Sequence, residues 1–344
     1  MTAGALWPFT ATLLAFVIGG ILAAGFGFNP FSAYWALLSG AFGGAFAVAT
    51  TLTNALPLMF TGVAVALSFR SGLFNIGAAG QYWLGAIAAT WIGYRAAVPA
   101  WVHLPMALVG GTIAGAVWAA LIPGIAKAYR GANEVITTLM MTYIAVYLGH
   151  YLIEGGPMQA PGFTPQSPQI LATAVLASLV PGTQLSWGIA LAVLLAVMVW
   201  LLLQRTAVGF SLRITGASPG AARYAGVSPR GTIVLALALS GAVAGMAGAV
   251  QVLGVDHRLY DSFSTSAGFT GIVVALLARN HPIGVLPAAV LFGALASGGN
   301  AMQISAGVPF HLVDILEGLI IFFIAGEGLL RYASWGRPNA QRQA

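Results

Sequence analysis

Hydrophobic positions along this chain form long unbroken runs separated by short polar connections. A helix that crosses a membrane needs about 20 apolar residues, and most of the runs meet or approach that length. The pattern predicts an all-α polytopic transmembrane helical bundle of about ten spans, organised as one domain over residues 1–344. The predicted spans cover residues 7–28, 49–69, 73–93, 101–124, 133–153, 187–204, 231–253, 264–279, 283–301 and 312–332, with an interfacial piece at 30–45 and a Pro- and Gly-rich outer loop at 154–185.

Composition supports the membrane class. The chain is 59% hydrophobic and 6% charged, whereas soluble domains average about a quarter charged residues. A soluble core could not bury this much apolar surface, and the weak alternation of apolar and polar positions argues against a β-barrel. Since the chain has no cysteine, disulfides and thiolate metal sites are excluded.

The basic residues predict the orientation. Residues 204–231 carry four of the 13 Lys and Arg residues. Four arginines at mid-bilayer would cost on the order of 10–14 kcal/mol, so this loop must lie in water, and the positive-inside rule places it in the cytoplasm. With both termini inside as well, only Arg95 and Arg258 of the 13 basic residues fall outside. We therefore expect a large cytoplasmic loop that receives a partner.

Two features predict an internal organisation typical of transporters. The segment TGVAVALSFR at 61–70 reappears as TGIVVALLAR at 270–279, and transport pathways commonly lie between such repeats. The segment GLFNIGAAGQ at 72–81 combines glycines with Asn75 and Gln81, which is typical of a broken helix exposed to the pathway. The same amides could instead hydrogen-bond a neighbouring helix. We expect a partial internal repeat and broken helices.

Small residues predict close helix contacts. Gly111 and Gly115 are four residues apart, as are Gly241 and Gly245. Pairs of this kind allow two helix backbones to approach closely in lipid. We expect them to serve bundle packing rather than transport.

A few polar residues inside or beside the apolar runs are candidates for transport chemistry. Asn133 can cap the helix that follows it, and Glu134 suits the helix dipole, although both could also contact a partner. Asp314 and Glu317 are three residues apart on one helix face, and Glu317 could line a polar cavity or pair structurally. The expected translocation pathway is lined by Asn75, Gln81, Asn300, Gln303 and Glu317.

The sequence lacks the residue patterns that metal binding, nucleotide binding and catalysis require. The histidines show no HExxH motif or ligand spacing, so we expect no metal site. The sole lysine, Lys127, lies between alanines and cannot belong to a phosphate-binding loop. A convincing nucleophile or base is also missing, so we expect neither an enzyme nor a cofactor. The dispersed basic residues do not indicate nucleic-acid binding. If transport is driven by ATP hydrolysis, the hydrolysis takes place on another polypeptide.

Three segments carry a family resemblance. GLFNIGAAGQ (72–81), GANEVITTLMMTYIA (131–145) and GASPGAARYAGVSP (216–229) resemble the permease subunits of bacterial ABC importers of the branched-chain-amino-acid/ribose superfamily. The similarity covers nearly the whole chain. It is closest to the branch for nucleosides and simple sugars, which works with binding proteins of the basic-membrane-protein type.

The resemblance implies an importer of several parts in the bacterial inner membrane. Its partners would be an ATPase with two nucleotide-binding modules, a second permease (identical or homologous) and an extracytoplasmic solute-binding protein. In that family the loop matching 216–229 docks into the ATPase. The implied contact residues are Gly216, Ala221, Ala222, Arg223, Tyr224, Ala225 and Gly226.

Two positions depart from the family pattern. Ala79 stands where a Glu is common, and Thr142 stands where an Asn is common. If those polar groups touch solute, a ligand other than a nucleoside is open. If they only pack helices, the expectation is unchanged. The expected solute is a nucleoside, with a simple sugar next. The alternative is a secondary transporter or channel that acts alone, for which the acid pair at Asp314 and Glu317 is the support.

Overall fold

The computed structural model describes residues 7–335, with the side chains of residues 8, 9, 325 and 327–335 outside the description. The side chains of Arg331, Arg337 and Arg342, which enter the orientation argument, therefore lie outside the described part. Within that part the chain is helical, with two isolated β-bridges and no extended strand. The main helices are α1 (Trp7–Gly25), α2 (Pro30–Phe42), α3 (Ala45–Arg70), α4 (Ala78–Arg95), α5 (Ala100–Ala119), α6 (Ile125–Arg130), α7 (Glu134–Ile153), α8 (Gly188–Arg205), α9 (Ala207–Ala217), α10 (Pro219–Tyr224), α11 (Pro229–Gln251), α12 (Ser266–Leu277), α13 (Val285–Ala306) and α14 (His311–Trp335).

Helices occur at all ten predicted spans, but they do not all have the length of a crossing. Six are long and apolar enough to span a membrane among the residues searched. They are Ala45–Arg70, Ala100–Arg130, Glu134–Ile153, Gly188–Arg205, Pro229–Asp256 and Val285–Ala306. The helix predicted at 264–279 is only the 12-residue Ser266–Leu277. The multi-pass membrane class is confirmed, and the number ten stays a prediction.

The chain divides into two compact units. One comprises Met1–Gly44 with Ala294–Ala344, and the other is Ala45–Gly293. In the first unit α1 packs on α14, and Gly19 lies so close to Leu316 that a Cβ on the glycine would come within 2.2 Å of the leucine side chain. The predicted interfacial piece at 30–45 is here the helix α2, capped by the Asn29 side chain.

In the larger unit, α11 lies at the centre and packs against α3, α4 and α5. The predicted glycine pairs form this contact directly. A Cβ at Gly115 would lie 2.2 Å from Gly241 O, and a Cβ at Gly245 would lie 2.4 Å from Gly111 O. From α4, a Cβ at Gly85 would lie 2.0 Å from Gly245 O of α11. Glycine is therefore required because backbone meets backbone, as the spacing predicts.

The two similar segments at 61–70 and 270–279 pack against each other. Thr61 Oγ1 donates a hydrogen bond to Ala267 O at 2.8 Å, and a Cβ at Gly271 would lie 2.5 Å from that Oγ1. At the ends of the segments, Arg70 Nε donates to Asn280 O at 3.0 Å. The C-terminal half of α3 therefore packs along α12, from Ala267 to the residues that follow the helix.

The outer loop 154–185 is irregular, apart from a short 3₁₀ turn at Ala172–Ala174. It is nevertheless fixed to the bundle by main-chain bonds. Ser167 N donates to Leu259 O, and Leu176 N donates to Leu253 O, both at 2.8 Å. Its Met158 and Ile170 side chains are buried, so the apolar residues of the loop add to the core.

Candidate functional site

The loop 204–231 folds into two short helices with a capping residue before each. Thr206 caps α9, and Ser218 Oγ accepts a hydrogen bond from Ala221 N at the start of α10. Pro219 occupies the first turn of α10, where its missing N–H is not needed. Gly226, with φ of 75°, ends the helix in the left-handed region. Residues 219–224 therefore form a short helix, held by turn residues on both sides.

The side chains of α10 divide into a buried and an exposed set. Ala222 is fully buried, with 0% of its surface exposed, and holds α10 against its own chain. Tyr224 is 98% exposed, and Ala221, Arg223 and Ala225 are exposed too. The interpretation of Ala222 as a residue that presents its side chain to a partner does not fit this geometry. Sequence could not distinguish it from Ala221, because burial depends on the docking of the short helix.

The start of α7 is tied to the preceding helix. Asn133 Oδ1 accepts from Val135 N at 2.9 Å, as a capping residue does. Glu134 forms an ion pair with Lys127 Nζ at 2.7 Å, and the Arg230 guanidinium lies over the Tyr129 ring at 5.6 Å. Glu134 is therefore engaged within the chain, while Asn133 is exposed beside it. Internal contacts already account for Glu134 without a partner.

Replacing Asn133 with alanine is expected to cost about 1 kcal/mol of stability, because the first turn of α7 loses its cap. The measurement is the thermal midpoint of the detergent-solubilised protein, which should fall by a few degrees. Asn133→Ser, which can still accept the bond from Val135 N, should restore the midpoint. A normal midpoint for Asn133→Ala together with impaired uptake would instead support a partner contact at this residue.

Asn75 and Gln81 lie in a closed hydrogen-bonded cluster. Asn75 Nδ2 donates to Gln81 Oε1 at 2.9 Å and to Ser240 Oγ at 2.8 Å. Asn75 Oδ1 accepts from Gln81 Nε2 and from Gly77 N, each at 3.0 Å. All three side chains are at least 99% buried. The helix break predicted here is present as non-helical residues 71–77, but the amides bond neighbouring elements instead of facing an open channel.

The two departures from the family pattern lie at helix contacts. Ala79 is fully buried, and a Cβ on Gly268 would come within 2.3 Å of its Cα. Thr142 is 2% exposed and lies against Gly80, and its hydroxyl bonds Thr138 O in its own helix at 3.2 Å. Both positions pack helices in this structure, so neither departure by itself argues for a different solute.

The other predicted pathway residues belong to the smaller unit. Asn300 and Gln303 are exposed near the end of α13, and Glu317 is half-buried on α14. Asp314 is exposed, and His311 Nδ1 lies 3.1 Å from its Oδ2. The predicted acid pair is therefore on one helix face, with Asp314 engaged by the histidine one turn before it.

The structure also brings together a group that the sequence reasoning missed. His150, Glu154 and Asp261 place their ligand atoms within 4.8 Å of one another. His150 Nδ1 is 3.2 Å from Glu154 Oε1 and contacts Asp261 Oδ1. The four-residue spacing of His150 and Glu154 could have indicated that these two side chains lie close together. Asp261 could not be added from the sequence, because it is 111 residues from His150. The group links α7 to the connection before α12.

These features define a multi-pass helical membrane protein with a short, exposed helix, α10, in the loop 204–231. The chain belongs to the family described as "Branched-chain amino acid transport system / permease component", which matches residues 47–325. It is 38% identical over 329 residues to the guanosine ABC transporter permease protein NupP of Bacillus subtilis, covering 94% of each chain.

Two further relatives align with this chain over most of the length of both proteins. The glucose ABC transporter permease protein TsgB13 of Haloferax volcanii is 34% identical, over 94% of this chain and 88% of its own. The nucleoside ABC transporter permease protein NupB of Lactococcus lactis is 34% identical, over 92% of this chain and 90% of its own. The permease class expected from the sequence motifs is confirmed.

Proposed function

We propose that this chain is the membrane permease subunit of an ABC importer that passes a nucleoside inward. The observation that carries the proposal is the 38% identity to a guanosine ABC transporter permease across 94% of both chains. A second relative named for nucleosides, at 34% identity, supports the same solute class. No observation favours a secondary transporter or channel that acts alone.

The solute site is proposed from polar residues. Asn300, Gln303 and Glu317 offer hydrogen-bonding groups that suit an uncharged, hydroxyl-rich molecule. Asn75 and Gln81, in the larger unit, are the other proposed pathway residues, and their side chains lie in a closed hydrogen-bonded cluster. Because a glucose permease is also 34% identical, a simple sugar is the second solute to test.

Three partners follow from this proposal. An ATPase with two nucleotide-binding modules would supply the energy, because Lys127, flanked by Ala126 and Ala128, cannot form a phosphate-binding loop. It would dock on α10 through Tyr224 and Arg223, with Ala221, Ala225 and Gly226 exposed beside them. Gly216, in the last turn of α9, packs its backbone on Ser71 and Gly72 of the same chain instead. A second permease would complete the pathway, and a solute-binding protein would deliver the nucleoside from outside.

The proposed topology has ten crossings in the bacterial inner membrane with both termini cytoplasmic. The loop 204–231, with four of the 13 basic residues, is then inside, and 154–185 is outside. The packing of α3 on α12 through Thr61 and Gly271 supports an internal repeat that links the two similar segments.

The test is uptake of radiolabelled guanosine and glucose by cells that contain the complete importer and lack other uptake routes. We expect guanosine accumulation that needs ATP and is lost when the ATPase carries a Walker-lysine substitution. Dissipating the proton gradient while ATP is maintained should leave uptake intact. Uptake that survives the ATPase substitution but is lost with the proton gradient would overturn the proposal in favour of a secondary transporter.

A further inference from the structure

In the non-helical residues 71–77 between α3 and α4, alternate residues from Ser71 to Gly77 are buried, while Gly72 and Phe74 are exposed. Gly72 has φ of 71°, a conformation that favours glycine, and it turns the chain back into the bundle. At the far end, a Cβ on Gly77 would lie 2.9 Å from both Thr138 Cβ and Thr138 O of α7. The buried residues of the segment are close-packed, so they move only together with their neighbours.

One of those neighbours is the loop 204–231. Gly216, in the last turn of α9, packs its backbone directly on the turn at Ser71 and Gly72. A Cβ on Gly216 would lie 2.5 Å from the Ser71 carbonyl carbon and 2.6 Å from Gly72 N. The next residues, Ala217 and Ser218, lead straight into α10. A displacement of α10 therefore reaches residues 71–77 through a contact between two backbones, with no flexible side chain between them.

The hydrogen-bonded cluster holds the same segment to α11. Both hydrogens of Asn75 Nδ2 and both acceptor positions of its Oδ1 are used. Ser240 Oγ accepts one of those bonds and donates to Ala64 O of α3 at 2.7 Å. A single serine hydroxyl thus connects α11, α3 and the broken segment. Since the cluster is buried, losing one partner leaves a polar group unpaired and destabilises this arrangement.

We propose that residues 71–77 are the element through which the coupling loop acts on the bundle. A displacement of α10 is transmitted to the segment through the Gly72–Gly216 backbone contact. In the absence of that displacement, the hydrogen bonds among Asn75, Gln81 and Ser240 hold the segment in the position seen here. This inference rests on the proposed docking of an ATPase at α10. It gives Gly216 and Ser240 positioning roles in coupling, away from the ATPase and from the solute.

The experiment measures nucleoside uptake and ATP hydrolysis together in proteoliposomes that contain the complete importer. Gly216→Ala inserts a methyl group between the two backbones. We expect hydrolysis to continue while uptake falls, so that ATP consumed per nucleoside transported rises about tenfold, the change that about 1.4 kcal/mol produces. Gly318→Ala is the matched control, because a Cβ on this helical glycine meets nothing within 4 Å. Its ratio should equal that of the wild type.

A second variant removes a hydrogen-bonding atom, Ser240 Oγ, instead of adding a methyl group. Ser240→Ala leaves an Asn75 N–H unpaired, and we expect hydrolysis without binding protein to rise severalfold at a normal level of assembled complex. Ser68→Ala is its control, since Ser68 is equally buried but bonds Val65 O within its own helix. Wild-type ratios in both Gly216→Ala and Ser240→Ala, or parallel loss of uptake and hydrolysis in Ser240→Ala, would overturn the inference. Failure of ATP-dependent uptake in the wild type would instead refute the proposed function.

Discussion

Gly245→Leu is expected to prevent the protein from folding. Gly245 contacts two helices: a Cβ there would be 2.4 Å from Gly111 O of α5, and a Cβ at Gly85 of α4 would be 2.0 Å from Gly245 O. A leucine must therefore push backbone away from backbone on at least one side. Ordinary overpacking costs about 1–3 kcal/mol, with a flexible side chain yielding. Here the rigid carbonyl cannot yield, so the cost should exceed that range.

The measurement is the fraction of monodisperse protein in detergent, followed by fluorescence-detected size-exclusion chromatography of a fused reporter. We expect at least a tenfold loss for leucine, corresponding to about 1.4 kcal/mol or more, and an intermediate loss for Gly245→Ala. Gly318→Leu is the control, because no atom lies within 4 Å of a Cβ at that helical position. A normal monodisperse yield of Gly245→Leu would show that α4, α5 and α11 do not meet through their glycines.

Tyr224→Ala is expected to disconnect the permease from its ATPase without disturbing its fold. The side chain is 98% exposed at the end of α10, so its removal creates no cavity. Aromatic residues that anchor an interface typically contribute 2 kcal/mol or more, so binding should weaken about 30-fold or more. Tyr224→Phe keeps the ring and should retain most of the affinity.

The assay titrates purified ATPase onto the immobilised permease and records transport-stimulated hydrolysis alongside. Tyr151→Ala is the matched control, since this tyrosine is 68% exposed near the C-terminal end of α7. It should bind the ATPase with the affinity of the wild type. Unchanged affinity of Tyr224→Ala would remove α10 as the docking element. Ala222→Asp does not test the docking surface, because Ala222 is buried and its substitution would displace α10 itself.

Local patterns predicted several elements that the structure contains. The glycine spacings at 111/115 and 241/245 predicted close helix packing, because four residues return a helix to the same face. The Ser-Pro pairs at 218–219 and 228–229 stand at helix starts in the structure, since the hydroxyl caps and the proline lacks the N–H that is unpaired there. The glycines and amides of 72–81 predicted a break. Each of these signals depends on residues close together in the chain.

Distant contacts account for what the sequence reasoning missed. The hydrogen bond between Asn75 and Ser240 could not be predicted from local patterns, because 165 residues separate the two side chains. The group of His150, Glu154 and Asp261 was not predicted for the same reason, since Asp261 is 111 residues from His150. The length of α12 was overestimated, since the apolar composition of 264–279 does not reveal that the helix covers only Ser266–Leu277.

The sequence by itself determined the membrane class and the permease family, and it located the loop 204–231 that is proposed to dock the ATPase, because hydropathy, charge and local motifs depend on residues that are close together in the chain. Only the tertiary structure decided which polar groups are buried and which face of α10 is free. Burial and hydrogen-bond pairing depend on which helices meet, and that is settled by contacts between residues far apart in the chain. Ala221 and Ala222 are chemically identical neighbours, yet one is exposed and the other has 0% exposed surface.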